Sequence, residues 1–170
     1  MDLCQVYFTV IIDGKEVHSV ENPSPETFTN IRVFAGDNFK PAADASYRNL
    51  LWENFHVDDN FDVGTKVKRD KQIGTIDSWG PFFRVSFDLI VHSVPQDRTS
   101  SVLDFICETE TRTTSYVLSI SLNRPWLWLY TMELRFENVN IDFKFDVEKD
   151  HWYNIIIEQN SFSGKVMRCL

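Results

Sequence analysis

What the sequence has little of narrows it first. Glycine is scarce, six residues in 170, and none stands in a G-x-S-x-G elbow or a phosphate-cradling loop. The local signatures of α/β-hydrolases and nucleotide-binding proteins are therefore missing. The three cysteines, Cys4, Cys107 and Cys169, have no CxxC spacing, so neither a zinc ribbon nor a disulfide framework is expected. An odd number leaves at least one thiol unpaired within the chain. Cys107 follows the apolar run Val102-Leu103-Asp104-Phe105-Ile106 and is expected to be a buried core thiol, because free cysteine packs as a small hydrophobe.

No apolar run approaches the roughly 20 residues that a membrane-spanning helix needs; Trp126 to Tyr130 and Ile155 to Ile157 are among the longest. Membrane insertion is not expected. Positive charge is also in deficit, with 17 Lys and Arg against 25 Asp and Glu and a net charge of -8. The basic face that nucleic acid would require is absent, so no nucleic-acid partner is expected. One dense basic run, Lys66-Val67-Lys68-Arg69 beside Lys71, reads as part of a solvated linker. No basic leader with an apolar core precedes the first strand, so no signal peptide is expected in the chain.

What is present is period two. Phe83, Val85, Phe87, Leu89 and Val91 alternate with Arg84, Ser86 and Asp88, with Ile90 as the exception, and Val139 to Val147 and Leu118 to Leu122 repeat the pattern. Each such segment has one apolar and one wet face, the mark of antiparallel strands. Asp13-Gly14 predicts a tight hairpin after Val6 to Ile12. Asn22-Pro23-Ser24-Pro25, Gly36-Asp37-Asn38, Asn123-Arg124-Pro125 and Asn160-Ser161 read as loops. Ala42 to Glu53 admits either a helix without a clear apolar stripe or a strand from Ala45 to Trp52. The expected fold is all-β, an antiparallel β-sandwich of about a dozen strands. With 43% hydrophobic residues the chain can bury one core.

The weakest stretch, His56 to Lys71, reads as a linker between residues 1–55 and 72–170. The first piece, "FTVIIDGKEVHSVENPSPETFTNIRVFAGDNFKPAADASYRNLLWEN", resembles the C-terminal third of concanavalin A-like, laminin G-like domains. The second resembles the N-terminal two thirds, through "IGTIDSWGPFFRVSFDLIVHS" and "DHWYNIIIEQN". The order of the pieces is reversed, as if the chain were cut from a tandem array. The chain then begins and ends inside what reads as one strand, "IIIEQNSFSGKV" running on into "YFTVIIDGKEV". The two pieces are expected to close as one permuted sandwich of jelly-roll type. A strand-swapped dimer is the alternative, and Cys4 and Cys169 would meet at the seam.

The resemblance implies a noncatalytic recognition or adhesion module of an extracellular or cell-surface protein, with a glycan or protein ligand. A spacer repeat and a degenerate glycosidase are the competing readings. The glycosidases of this fold place paired carboxylates on one strand, and a retaining pair stands about 5 to 5.5 Å apart; no E-x-D-x-x-E occurs here, so no enzymatic activity is expected. Such domains also hold calcium at the sandwich rim. Asp58, Asp59, Asn60 and Asp62 supply hard oxygens without an EF-hand spacing, so no cofactor and no metal site are expected, calcium being the one ion the acidic stretch could take. Asp37 and Asn38 match the family's s-D loop. Trp126, Trp128 and Tyr130, with Trp79 beside Gly80-Pro81, are candidate stacking platforms for a sugar, whereas Trp152 matches a core tryptophan. The histidines, His18, His56, His92 and His151, are expected at the surface or in turns. No N-x-[ST] sequon without proline is present.

Overall fold

Alternating side chains leave each sheet with one dry face, and two such sheets bury those faces against each other. The computed structural model describes residues 5–52, 55–56, 64–93, 99–108, 114–126, 129–136 and 141–160. In these residues there are thirteen strands and two sheets, and every strand pair is antiparallel.

The first sheet is built from β1 (Tyr7–Ile12), β2 (Lys15–Glu21), β4 (Ala45–Trp52), β5 (Phe55–His56), β8 (Phe83–Val91) and β13 (Trp152–Asn160), in the order β2-β1-β13-β8-β4-β5. A short seventh strand, β6 (Thr65–Lys66), pairs with β4. The second sheet runs β12 (Ile141–Asp146), β11 (Leu129–Phe136), β10 (Thr114–Trp126), β9 (Thr99–Glu108), β3 (Phe28–Phe34), β7 (Gln72–Trp79). Strands from residues 1–55 and from 72–170 thus interleave in both sheets.

The first hairpin is as the sequence predicts: Asp13 and Gly14 take φ of 52° and 76°, the left-handed pair that matches strand twist. Within the stretch Ala42 to Glu53 the structure has, among the described residues, no helix and one strand, β4 (Ala45–Trp52). Its core residues are Ala45, Tyr47, Leu50 and Trp52, and the break in alternation sits at a register shift between Arg48 and Leu51, where Asn49 has a φ of 54°. Such a bulge turns two successive core residues, three apart, to the same side.

Several expectations are corrected. β1 and β13 are antiparallel neighbours, Tyr7 opposite Asn160, and the C-terminal half of the strand read as severed, Gly164 to Val166, lies outside the described residues. Asn123-Arg124-Pro125 is not a loop; it lies within β10, at a register irregularity between Asn123 and Trp126, where a proline is tolerated. Cys107 is half-buried rather than fully enclosed; Cys4 and Cys169 lie outside the described residues. Of the expected linker, residues 64–71 pack into the sandwich: Thr65 and Lys66 pair with β4, and Val67 is 3% exposed within the core.

The core centres on an aromatic cluster shared by both sheets. Trp79 of β7 packs at 3.8 Å centroid distance from Trp52 of β4, 4.7 Å from Phe83 of β8 and 5.3 Å, edge to face, from Phe105 of β9. Trp79 is fully buried, so it is no exposed platform. Offset and edge-to-face contacts of this kind add to the burial of ring area.

Candidate functional site

Asp37 and Asn38, singled out in the sequence, lie in the loop after β3, at the outer face of the six-stranded sheet. Along β3, Ile31 and Val33 enter the core, which places Arg32 and Phe34 on the other face. Across the ladder Arg32 faces Ile106 and Phe34 faces Asp104; Asp104 in turn faces Ser119, and Ile106 faces Tyr116. Phe34, Asp104 and Ile106 are buried although they stand outside the sandwich core. Part of this outer face is therefore covered.

The cover is the loop that follows β3. Gly36, with a φ of 89°, makes a turn that side-chain-bearing residues rarely adopt, and the chain folds back across the sheet. Asp37 then organises the loop. Its Oδ1 accepts from the backbone N–H groups of Phe39 and Lys40 at 3.0 and 2.8 Å, its Oδ2 accepts from the Tyr116 hydroxyl at 2.8 Å, and its own N–H donates to Ser101 Oγ at 3.0 Å. Asp37 is fully buried, and its carboxylate is occupied by these donors, so its role is to shape the loop.

Beneath lies Asp104, also fully buried. It accepts from the Ser101 hydroxyl and, at 2.5 Å, from the Ser119 hydroxyl. Lys40 Nζ donates to Ser119 Oγ at 3.3 Å, stands 4.0 Å from Asp104 Oδ1, and lies 4.8 Å above the Tyr116 ring. Burial pushes the Asp104 carboxyl up to about 6; the Ser101 and Ser119 hydroxyls and Lys40 pull against that shift, and the Asp37 charge adds to it. Burial also raises the Tyr116 phenol, as does its bond to Asp37.

The raised carboxyl has a signed consequence. Between the ordinary 3.8 and about 6, folded Asp104 keeps a proton that the unfolded chain releases, so its contribution to stability falls as pH rises through that window. Asp104→Asn removes the titration. From pH 4 to pH 7 the variant is expected to gain about 2 kcal/mol on the wild type in urea unfolding; a pH-independent difference would show that Asp104 titrates normally.

Beside the covered strip the face opens into a pocket of about 310 Å³. Arg32, Phe34 and Ile106 form its floor, Asp37, Asn38 and Phe39 one wall, and Asp70 and Gln72 the other. Phe39 is 63% exposed and meets Tyr116 edge to face at 6.4 Å. The opposite wall is held to the loop by four backbone hydrogen bonds: Ala35 N to Lys71 O, Lys68 N to Ala35 O, Asp70 N to Asp37 O and Lys71 N to Gly36 O. Arg69 Nη2 adds a bond to Asn38 O at 3.0 Å.

Of the residues singled out in the sequence, Asp37 and Asn38 thus belong to this site. Trp126 and Tyr130 occupy β10 and β11 at the hairpin tip, in the sheet that carries the pocket, and Trp128 lies outside the described residues, as do Asp58, Asp59, Asn60 and Asp62. Trp152 is half-buried on the outer face of the other sheet, under the Arg48 guanidinium at 4.1 Å, and Tyr153 takes the core position instead. Sequence reading missed Phe39, Lys40, Asp104 and Tyr116. Only Asp104 gave a signal, as the lone charge within an apolar run.

Elsewhere, Ser46 Oγ and His92 Nε2 are 2.8 Å apart, with Asp150 Oδ1 3.9 Å from His92 Nδ1. Ser46 is 5% exposed within a strand paired on both sides, to β6 and β8, and Asp150 is beyond hydrogen-bond reach. Among the described residues no group of three or more His, Cys, Asp or Glu is placed to hold a metal ion. No protein-family model, curated protein or solved structure matches the chain.

Proposed function

We propose that the chain is a noncatalytic recognition module of an extracellular or cell-surface protein, a laminin G-like jelly roll that takes its glycan or protein ligand in the outer-face pocket. The observation that carries this reading is Phe39, a large apolar side chain 63% exposed at the lip of a pocket. It stands on a loop whose buried Asp37 binds two of the loop's own amides. A loop fixed before binding gives up little conformational entropy on contact, and an exposed aromatic offers area for stacking. About 310 Å³ is at the lower end of the ligand-pocket range, enough for one ring or one side chain. The noncatalytic part rests on the carboxylates of the site: Asp37 and Asp104 are fully buried and hydrogen-bonded internally, which leaves Asp70 as the one exposed carboxylate of the pocket lining, without the second that a glycosidase pair requires.

Glycan and peptide arrays probed with the whole chain test the reading. Phe39→Ala is expected to weaken any genuine hit at least tenfold, about 1.4 kcal/mol, and to leave the melting temperature nearly unchanged because the ring packs little. Hits indifferent to Phe39 would place the ligand elsewhere.

A further inference from the structure

Val67 of the basic run Lys66 to Lys71 enters the core, and the side chains of Lys68, Arg69 and Lys71 stay exposed. The fold brings the run to the pocket. Residues 68–71 lie against 35–38 through the four backbone bonds already described, and Lys71 leads directly into β7. Lys68, Arg69 and Lys71 are exposed around Asp70, and of these four only Asp70 lines the pocket, so an acidic protein presents a local excess of positive charge beside the pocket. Lys66, further back, is paired with Asp44 at 3.1 Å.

β7 itself is the last strand of its sheet: it pairs with β3 on one side, and among the described residues no strand pairs with its other edge. Gln72, Thr75, Asp77 and Ser78 are exposed along it, and Gln72 also lines the pocket. An unpaired edge is a template for an added strand, and main-chain pairing supplies affinity while side-chain pockets supply choice.

We infer that the partner is an acidic, extended segment of another protein, which adds to the free edge of β7, sets its carboxylates beside Lys68, Arg69 and Lys71, and inserts one apolar side chain in the pocket under Phe39. This rests on the pocket being the recognition site. Exposed charge pairs are individually weak and screened by salt, so the basic wall gives selectivity and encounter rate, while the edge and the pocket give residence.

The test uses the whole chain and a labelled short peptide alternating glutamate with threonine around one leucine, with a glutamine-for-glutamate peptide as the neutral control. Fluorescence anisotropy is expected to show binding of the acidic peptide that weakens steeply with salt. Lys68→Ser/Lys71→Ser is expected to weaken it about tenfold at low ionic strength, Phe39→Ala to weaken it at every salt concentration, and amide exchange to slow along β7 in the complex. Equal binding of the neutral peptide, or an unchanged double variant, overturns the acidic partner and leaves the pocket reading standing. Binding of the acidic peptide without protection of β7 overturns strand addition. Phe39-dependent binding of an oligogalacturonate in place of the peptide overturns the protein partner while upholding the pocket. If peptides, acidic saccharide and arrays all fail to bind, both proposals fall.

Discussion

Replacing Trp79 by alanine is expected to destabilise the protein by about 4 kcal/mol, the range for deleting a large aromatic from a packed core. Trp79 is fully buried and belongs to the edge strand β7, yet it touches Trp52 and Phe83 of the opposite sheet and Phe105 of its own. Its loss therefore opens a void between the sheets that neither can fill without moving. For a domain of this size the melting temperature should fall by roughly 10 °C. The indole Nε1 has no hydrogen-bond partner, and an unsatisfied buried donor is itself costly, about 1 to 3 kcal/mol. Trp79→Phe keeps most of the ring and deletes that donor, so it is expected to cost about 1 kcal/mol, well below alanine. Urea unfolding of both variants checks the order. An alanine variant within about 1 kcal/mol of wild type would mean that the ring is not wedged between the sheets.

Gly36→Ala is expected to cost about 3 kcal/mol, and with it the pocket. The φ of 89° strains any side-chain-bearing residue, and a Cβ at this position would stand 2.5 Å from Lys68 O and 2.9 Å from Lys68 C. Those are backbone atoms, unable to swing aside as a flexible side chain could. The 68–71 wall would have to separate from the loop and lose the four hydrogen bonds that join them. Gly14 is the internal control: its φ is 76°, but nothing lies within 4 Å of its Cβ position. Gly14→Ala should therefore cost only the left-handed penalty, about 1 kcal/mol. The difference between the two variants isolates the close approach at Gly36. Equal costs would show that backbone strain alone accounts for both.

The regular strands were legible because their signal is local. Phe83, Val85, Phe87, Leu89 and Val91 are all buried in β8, as alternation requires. Even the exception has a reason, since Ile90 lies on the outer face between Ser46 and Trp152, where neighbouring side chains shelter it. β4 was ambiguous for a reason equally physical. The bulge at Asn49 spaces Tyr47 and Leu50 by three, a helical interval, while the chain remains extended. At Trp152 the parity was misjudged by one residue, and a one-residue slip exchanges the two faces of a strand.

By itself, then, the sequence determined the all-β character, the first hairpin and most of the core, because burial alternates along each strand and turn residues dictate their own φ. It also marked Asp37 and Asn38. Only the tertiary structure decided that Asp37 is an internal organiser, that Asp104 is buried on an outer face, and that the basic run forms a pocket wall rather than a free tether. Each of these depends on which strand lies across the ladder and which loop folds over it. Tyr116 and Asp37 are 79 residues apart, and Gly36 meets Lys68 across a change of sheet. No local period encodes such a meeting; the packing of one segment on another creates it.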